Sequence, residues 1–371
     1  MTIKKSFVKP VAMLFCALIL TFSLSHAVDG QNGQLKGATE DYVIVEGDMK
    51  IPRSLFERLQ FEELQAEGRA PQAALIRNDI HIWPGGIVPF EFDSNVTPEN
   101  RIKMEEAMAV LEAEANVDFR HCPNDDCGLP YTHKVVIQNG DGNNSSVVGM
   151  ADLACGLPTC FTSQGIEIAS WNSKFTIVHE LLHCLGFFHE QNRSNRDNYV
   201  KVNCDYVQGG CGIFSRHRLD FVIDDTSTGY GYYDFDSVMH YDQCAFSIDC
   251  PDGSTCACTN RTITVLPPND TQWQGRIGQR NHLSVLDKAS LSFLYPASDW
   301  RFVDTFYDGA RGSSNGTFLR PYSSFSQAVS NTPEGGTVWL LRTQTIPAAG
   351  TYSKRITVKT APGVEATLVG G

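Results

Sequence analysis

His179-Glu180-Leu181-Leu182-His183-Cys184-Leu185-Gly186-Phe187-Phe188-His189-Glu190 is the run that decides the reading of this 371-residue chain. Residues four apart on an α-helix lie one turn above each other on one face, so His179 and His183 aim their rings at a single point. Glu180, about 100° around the helix from His179, turns away from that point yet can touch a ligand held there. Gly186 tolerates positive φ, which ends the helix and turns the chain back. His189, three residues on, then closes a triangle of imidazoles.

Three neutral imidazoles leave one position of a tetrahedral zinc ion open, the arrangement of a catalytic site; structural zinc sites usually take all four ligands from protein. The cofactor expected is one catalytic Zn2+. Water at the open position has its pKa lowered to about 7, and Glu180 is placed to take its proton and pass it to a departing amine. The reaction class implied is peptide hydrolysis, with proteins or peptides as substrates. A bare His-Glu-x-x-His also arises by chance on polar helices. Gly186, His189 and the apolar filling of Leu181, Leu182, Leu185, Phe187 and Phe188 make the pattern specific.

The extended run resembles the metzincin clan of zinc metalloendopeptidases, and Glu190 directly after the third histidine is similar to the astacin family. Gln191 through Tyr199 continues the likeness, with Asn195 where the family commonly has aspartate. Further on, Ser237-Val238-Met239-His240-Tyr241 resembles the family's Met-turn. The resemblance implies that Met239 underlies the zinc without binding it and that Tyr241 is a further ligand in the resting enzyme. A phenol with pKa near 10 stays a hydrogen-bond donor when displaced, so Tyr241 is also a candidate to stabilise the oxyanion. His240 is expected to pack or hydrogen-bond. Trp83 through Phe90 resembles the start of an astacin catalytic domain, and Ile277 through Ser284, with Asp287 and Leu294-Tyr295, its end. The likeness covers about residues 74 to 296. It implies an α+β, metzincin-type fold: a twisted mixed sheet on two long helices, then an irregular half, with the cleft between them.

Local patterns fit that outline. Ile87 to Phe92, Val117 to Arg120 and Val135 to Gln138 read as strands, and Thr97-Pro98 as the cap of a helix carrying Ile102, Met108, Leu111 and Ala115 on one side.

Ahead of this domain, Lys4, Lys5 and Lys9 precede an apolar run from Val11 to Leu24 and then Ser25-His26-Ala27, a signal-peptidase pattern. The run is shorter than the roughly 20 residues of a spanning helix, which favours a signal peptide over 1–27, a secreted product and no stable membrane insertion after cleavage. Residues 28–73 read as a polar, acidic prosegment with a helical candidate from Ser54 through Leu64. Its Val45-Glu46-Gly47-Asp48 resembles the astacin motif in which an aspartate, here Asp48, occupies the zinc of the zymogen; the family usually has an aromatic residue in place of Val45, and Gly-Asp is also a common turn pair. The resemblance puts the mature start near Ala73 or Ala74, with Arg69 and Arg77 as nearby basic cleavage sites, and has the new amino terminus pair through water with Glu190.

Of twelve cysteines, Cys16 leaves with the signal and the others cluster: Cys122 with Cys127, Cys155 with Cys160, Cys204 with Cys211, then Cys244, Cys250, Cys256 and Cys258. Local disulfides fit an oxidising compartment. Cys184 on the zinc helix reads as a small buried hydrophobe. No cysteine follows Leu294-Tyr295, where astacins commonly have one.

From Asp299 to Gly371 the texture turns to Gly, Ser, Thr and short apolar strands, as in Thr337-Val338-Trp339-Leu340 and Arg355-Ile356-Thr357-Val358-Lys359. Together with Pro321 through Val329 this is similar to the opening coils of pectate-lyase-like right-handed β-helices, either a truncated piece or an accessory module docking elsewhere. The domains expected are therefore 1–27, 28–73, 74–297 and 299–371. The tail carries a rival reading: a carbohydrate-binding or adhesive secreted protein, touching polysaccharide or a cell surface, whose peptidase domain is accessory or inactive. A formal charge of −12 argues against nucleic acid as a partner. Arg276 and Arg280 either favour acidic residues just after the scissile bond or are salt-bridged surface residues.

Overall fold

In the computed structural model, residues 42–45, 48–52, 81–123, 133–150, 162–211, 220–223, 232–250, 256–348 and 352–369 are described. The apolar run expected to be a signal peptide, the Ser54–Leu64 helix candidate, the expected mature start at Ala73 or Ala74, and Cys127, Cys155 and Cys160 lie outside them.

A seven-stranded mixed sheet organises the amino-terminal half. Its strands are β1 (Tyr42–Val45), β2 (Met49–Pro52), β3 (Ile87–Phe92), β4 (Asp118–His121), β5 (His133–Asn139), β6 (Ser145–Val147) and β7 (Thr162–Ile168), in the order β1-β2-β6-β7-β5-β3-β4. Strands β7, β5, β3 and β4 run parallel, while β6 is antiparallel to β7. The antiparallel pair β1–β2 adds to the far side of β6 through parallel pairing of Met49 with Ser146 and Lys50 with Val147.

Two helices cover one face of this sheet. In α1 (Pro98–Glu112) the Thr97 side chain accepts the Asn100 N–H and Pro98 needs no amide partner at the first position. Met104, Ala107, Met108 and Leu111, spaced 3.6-fold, form its buried stripe. Ile102 departs from expectation: it is 57% exposed. Six residues correspond to about 600° of helix, so Ile102 stands about 120° away from Met108 and outside the stripe. The second helix, α2 (Lys174–Cys184), is buried along its last two turns, from Ile177 to Cys184. Its end is tied down by the Trp83 indole, which donates to the Cys184 carbonyl at 2.9 Å, and by Tyr295, whose hydroxyl donates to the Leu185 carbonyl at 3.0 Å.

Beyond Gly186 the chain is irregular. A short antiparallel pair, β8 (Val200–Val202) and β9 (Ile263–Val265), and an aromatic cluster of Tyr233, Phe235, Tyr241 and Phe221 build a second core. Disulfides Cys204–Cys211, Cys244–Cys258 and Cys250–Cys256 staple it, each within one of the groups read from the sequence. Cys122 is disulfide-bonded, and Cys184 is free and buried. After the short α3 (Asp270–Trp273), α4 (Val285–Leu294) begins with a Ser284–Asp287 capping box.

The carboxy-terminal segment is built of parallel pairings: β10 (Trp300–Val303), β11 (Thr337–Leu340) and β13 (Thr357–Thr360) form one sheet, β12 (Gln344–Pro347) and β14 (Ala366–Val369) another. Helix α5 (Phe325–Asn331) lies between β10 and β11 in the sequence, and Lys354 caps its end by donating to the carbonyls of Val329, Ser330 and Thr332. The segment packs on the catalytic half: Phe293 of α4 sits among the rings of Trp300, Phe302, Phe318 and Trp339, with centroids 4.9–6.2 Å away. Phe302, Phe318, Leu319 and Ala361 thereby belong to the main hydrophobic core. No described helix is long and apolar enough to cross a membrane.

Candidate metal centre

Helix α2 delivers His179 and His183 as their spacing predicts, with ring centroids 4.6 Å apart. Gly186, at φ 100°, makes the turn only glycine adopts cheaply. It returns the chain so that His189 comes within 3.2 Å of His179, Nε2 to Nε2; His183 and His179 are 3.1 Å apart by the same atoms. Above the triangle sits the Asp48 carboxylate, 3.3 Å from His179, 3.3 Å from His189 and 3.7 Å from His183. The ligand atoms of these four residues all lie within 4.8 Å of one another.

The rings are oriented from behind. His179 donates from Nδ1 to the Val238 carbonyl at 2.8 Å, and His183 from Nδ1 to the Phe187 carbonyl at 2.7 Å. With the protons on Nδ1, the Nε2 lone pairs of His179 and His183 face each other at a distance where neither hydrogen-bonds the other. Burial, followed by the charge of Arg280, drives the His179 pKa down to about 4, and burial drives His183 well below its ordinary value. Neutral imidazoles with bare, converging lone pairs fit a divalent cation, and their nitrogen donors fit zinc. For Asp48, burial pushes the carboxyl up, but the His189, His179 and His183 rings gathered against it outweigh burial and hold the group well below the usual range.

Glu180 is buried beside the cluster, and its Oε2 has no hydrogen-bond partner among the described residues. Burial first, then the charge of Asp48, raises its pKa well above normal. Tyr241 lies against His189, ring centroids 4.5 Å apart. Met239 is buried, and its carbonyl accepts the Glu190 N–H at 3.1 Å. His240 hydrogen-bonds as expected: its Nδ1 donates to the Tyr241 carbonyl at 2.6 Å while Nε2 accepts the Tyr233 hydroxyl at 2.7 Å. Burial holds it neutral, with a pKa lowered to about 4. The Cys184 thiol is likewise inert, pushed up to about 12 by burial.

Residues around the triangle shape the site, Asp287 among them with no signal in the opening run. Asp287 accepts the Ser237 hydroxyl at 2.6 Å and the Val238 and Ser284 amides at 2.9 and 3.0 Å, so it anchors the turn that backs His179. The Gln191 side chain accepts the Tyr241 amide at 2.9 Å. Glu190 accepts from Arg193 at 2.5 Å and from the Asp234 amide at 2.7 Å. Arg276 and Arg280 are not salt-bridged to any carboxylate among the described residues. Arg276 stacks on Trp273 at 4.6 Å, and Arg280 donates to the carbonyls of His240 and Gln279, its charge acting on Asp48 and Glu180.

A mixed sheet with two helices, a histidine triangle that ends the second helix, and a methionine turn whose Val238 carbonyl backs His179 define the metzincin-type zinc peptidase fold. The Astacin (Peptidase family M12A) family model matches residues 75–296, and the chain belongs to that family. It is 32% identical over 219 residues to zinc metalloproteinase nas-14 of Caenorhabditis elegans, covering 59% of this chain and 38% of that one. It is 28% identical over 285 residues to tolloid-like protein 1 of Homo sapiens, covering 73% and 24%. The chain thus spans about two fifths and one quarter of these relatives' lengths. Among solved structures, the hatching enzyme zinc-protease high choriolytic enzyme 1 of Oryzias latipes aligns with a TM-score of 0.48 at 25% identity, covering 60% of this chain and 98% of that one.

Proposed function

We propose that this chain is a secreted zinc-dependent metalloendopeptidase made as a zymogen. The observation that carries the reading is the convergence of the Nε2 atoms of His179, His183 and His189 on one point against the Asp48 carboxylate. These three histidines hold the metal, and Tyr241 joins them in the resting enzyme, a role supported by its ring lying against His189. When bound, zinc supplies Lewis acidity toward a carbonyl and an acidified water. Glu180 is the general base: a buried carboxyl with a raised pKa and an unpartnered oxygen takes a proton at Oε2 and returns it to the leaving amine. Tyr241, once turned from the metal, donates its hydroxyl to the developing oxyanion.

Asp48 is the latency device, supported by its carboxylate above the triangle and by the β-pairing of its strand with β6. Residues 1–27 are the signal peptide, 28–73 the prosegment, 74–297 the catalytic domain and 299–371 a β-rich module. Release of the prosegment frees an amino terminus to reach Glu190. Arg280, a cation near enough to Asp48 and Glu180 to interact with both and with no carboxylate ion pair among the described residues, favours acidic residues just after the scissile bond. The parallel pairings of the last module fit the opening coils of a β-helix and leave contact with polysaccharide or a cell surface as its role. An inactive domain is the weaker reading, because each position the chemistry needs is filled.

The test is Glu180→Ala. Zinc content stays at one ion per chain, and casein cleavage by the activated protein disappears. Cleavage that persists in the variant contradicts the mechanism.

A further inference from the structure

Strand β2 positions more than Asp48. Its backbone follows the edge of β6, the Asp48 carbonyl accepting the Ser146 amide at 2.9 Å. Two residues on, Lys50 reaches across that edge and ion-pairs with Glu167 of β7 at 2.8 Å, with the two side chains only 14% and 31% exposed. Glu167 is itself held in place, since Gln138 donates to its Oε1 at 2.9 Å and the Ser145 hydroxyl to its Oε2 at 3.0 Å. The path of the lysine crosses Gly165, where a β-carbon would stand 4.0 Å from Nζ. Among the described residues Glu167 has no other cationic partner, so loss of β2 leaves this carboxylate on the outer face of the sheet, opposite the buried Ile166 and Ile168.

A peptide bound along an open sheet edge pairs by its backbone and sends alternate side chains to each face. The edge vacated by β2 is that of β6, and a side chain on its outer face meets Glu167. We propose that Glu167, held by Gln138 and Ser145, is a specificity-determining residue that receives a lysine or arginine side chain of the substrate, the place that Lys50 fills in the zymogen. This rests on the peptidase reading above. A neutral side chain there leaves a half-buried carboxylate unpaired, which is worth about tenfold in selectivity.

The full-length chain, activated by limited proteolysis, is assayed on fluorogenic peptides carrying lysine, norleucine or glutamate at each position around the scissile bond. At one position the lysine-to-norleucine ratio of kcat/KM is about 10; it falls to about 1 in Glu167→Gln and favours glutamate in Glu167→Lys. In parallel, a synthetic peptide of residues 41–53 inhibits the wild-type enzyme about tenfold more strongly than the same peptide with norleucine for Lys50. A wild-type ratio near 1 at every position, a ratio unchanged in Glu167→Gln, or equal inhibition by the two peptides overturns the subsite. A wild-type enzyme that cleaves none of the peptides overturns the peptidase reading itself.

Discussion

The carbonyl of Val238 accepts the Nδ1 proton of His179 at 2.8 Å, so the methionine turn and the zinc helix are joined across 59 residues by one buried hydrogen bond. Such backing fixes the tautomer that leaves Nε2 free for metal. Asp287 in turn fixes Val238, through the amide and through Ser237. Replacing Asp287 by alanine strands three buried donors, which costs about 2–4 kcal/mol of stability and weakens zinc binding about 10- to 100-fold. Denaturant unfolding and chelator competition measure the two effects. Wild-type zinc affinity in Asp287→Ala contradicts the assigned role.

The phenylalanine at 293 ties the carboxy-terminal segment to the catalytic half. It is buried in the main core against four aromatic rings from residues 300–339. Phe293→Ala should cost about 3–5 kcal/mol, and residues 81–369 should unfold in one calorimetric transition. Two well-separated transitions in the wild type count against a shared core.

How much of this was readable from residues alone depends on range. Helical spacing is local, so His179, His183 and the turn at Gly186 follow from the sequence, as does the Cys204–Cys211 pair, whereas the pairing among Cys244, Cys250, Cys256 and Cys258 does not. Asp287 shows the limit: Ser284-x-x-Asp287 announces a helix start, but nothing local marks that its carboxylate also reaches Ser237 and Val238, 50 and 49 residues away. The pairing of β2 with β6 likewise has no sequence signal, because an edge strand's partner is chosen by position in the sheet. Ile102 fails for a different reason, an apolar residue credited to a stripe that the helical period denies it. Arg280 is marked in the sequence as either a specificity residue or a salt-bridged surface residue; only the fold brings its charge to bear on Asp48 and Glu180.

Asp234 gives the chain a pH-dependent stability. Burial, then the charges of Asp287 and Glu190, raises its pKa to about 8, against about 3.9 unfolded. Between these values the folded chain keeps a proton that the unfolded chain releases, so its contribution to stability is present below about pH 4 and declines as pH rises toward 8. An asparagine amide at this position imitates the protonated carboxyl. Asp234→Asn should therefore lose less Tm between pH 5 and 8 than the wild type and lie about 2–4 °C above it at pH 8. Parallel Tm curves for the two proteins would rule out this origin.

Removal of the Asp48 carboxylate tests latency. The full-length Asp48→Ala chain is expected to cleave casein before any processing, whereas the wild type requires prosegment release. Asp48→Asn, which keeps the shape but loses the charge, should fall between them. Equal latency in all three proteins would place the inhibition elsewhere.

Metal dependence addresses the central claim most directly. The activated full-length chain is stripped with a chelator, dialysed and back-titrated with Zn2+ while casein cleavage and metal content are followed together. Cleavage vanishes on stripping and returns fully at one zinc per chain, and the stripped His183→Ala variant regains neither metal nor activity. Cleavage that survives complete removal of the metal contradicts the account.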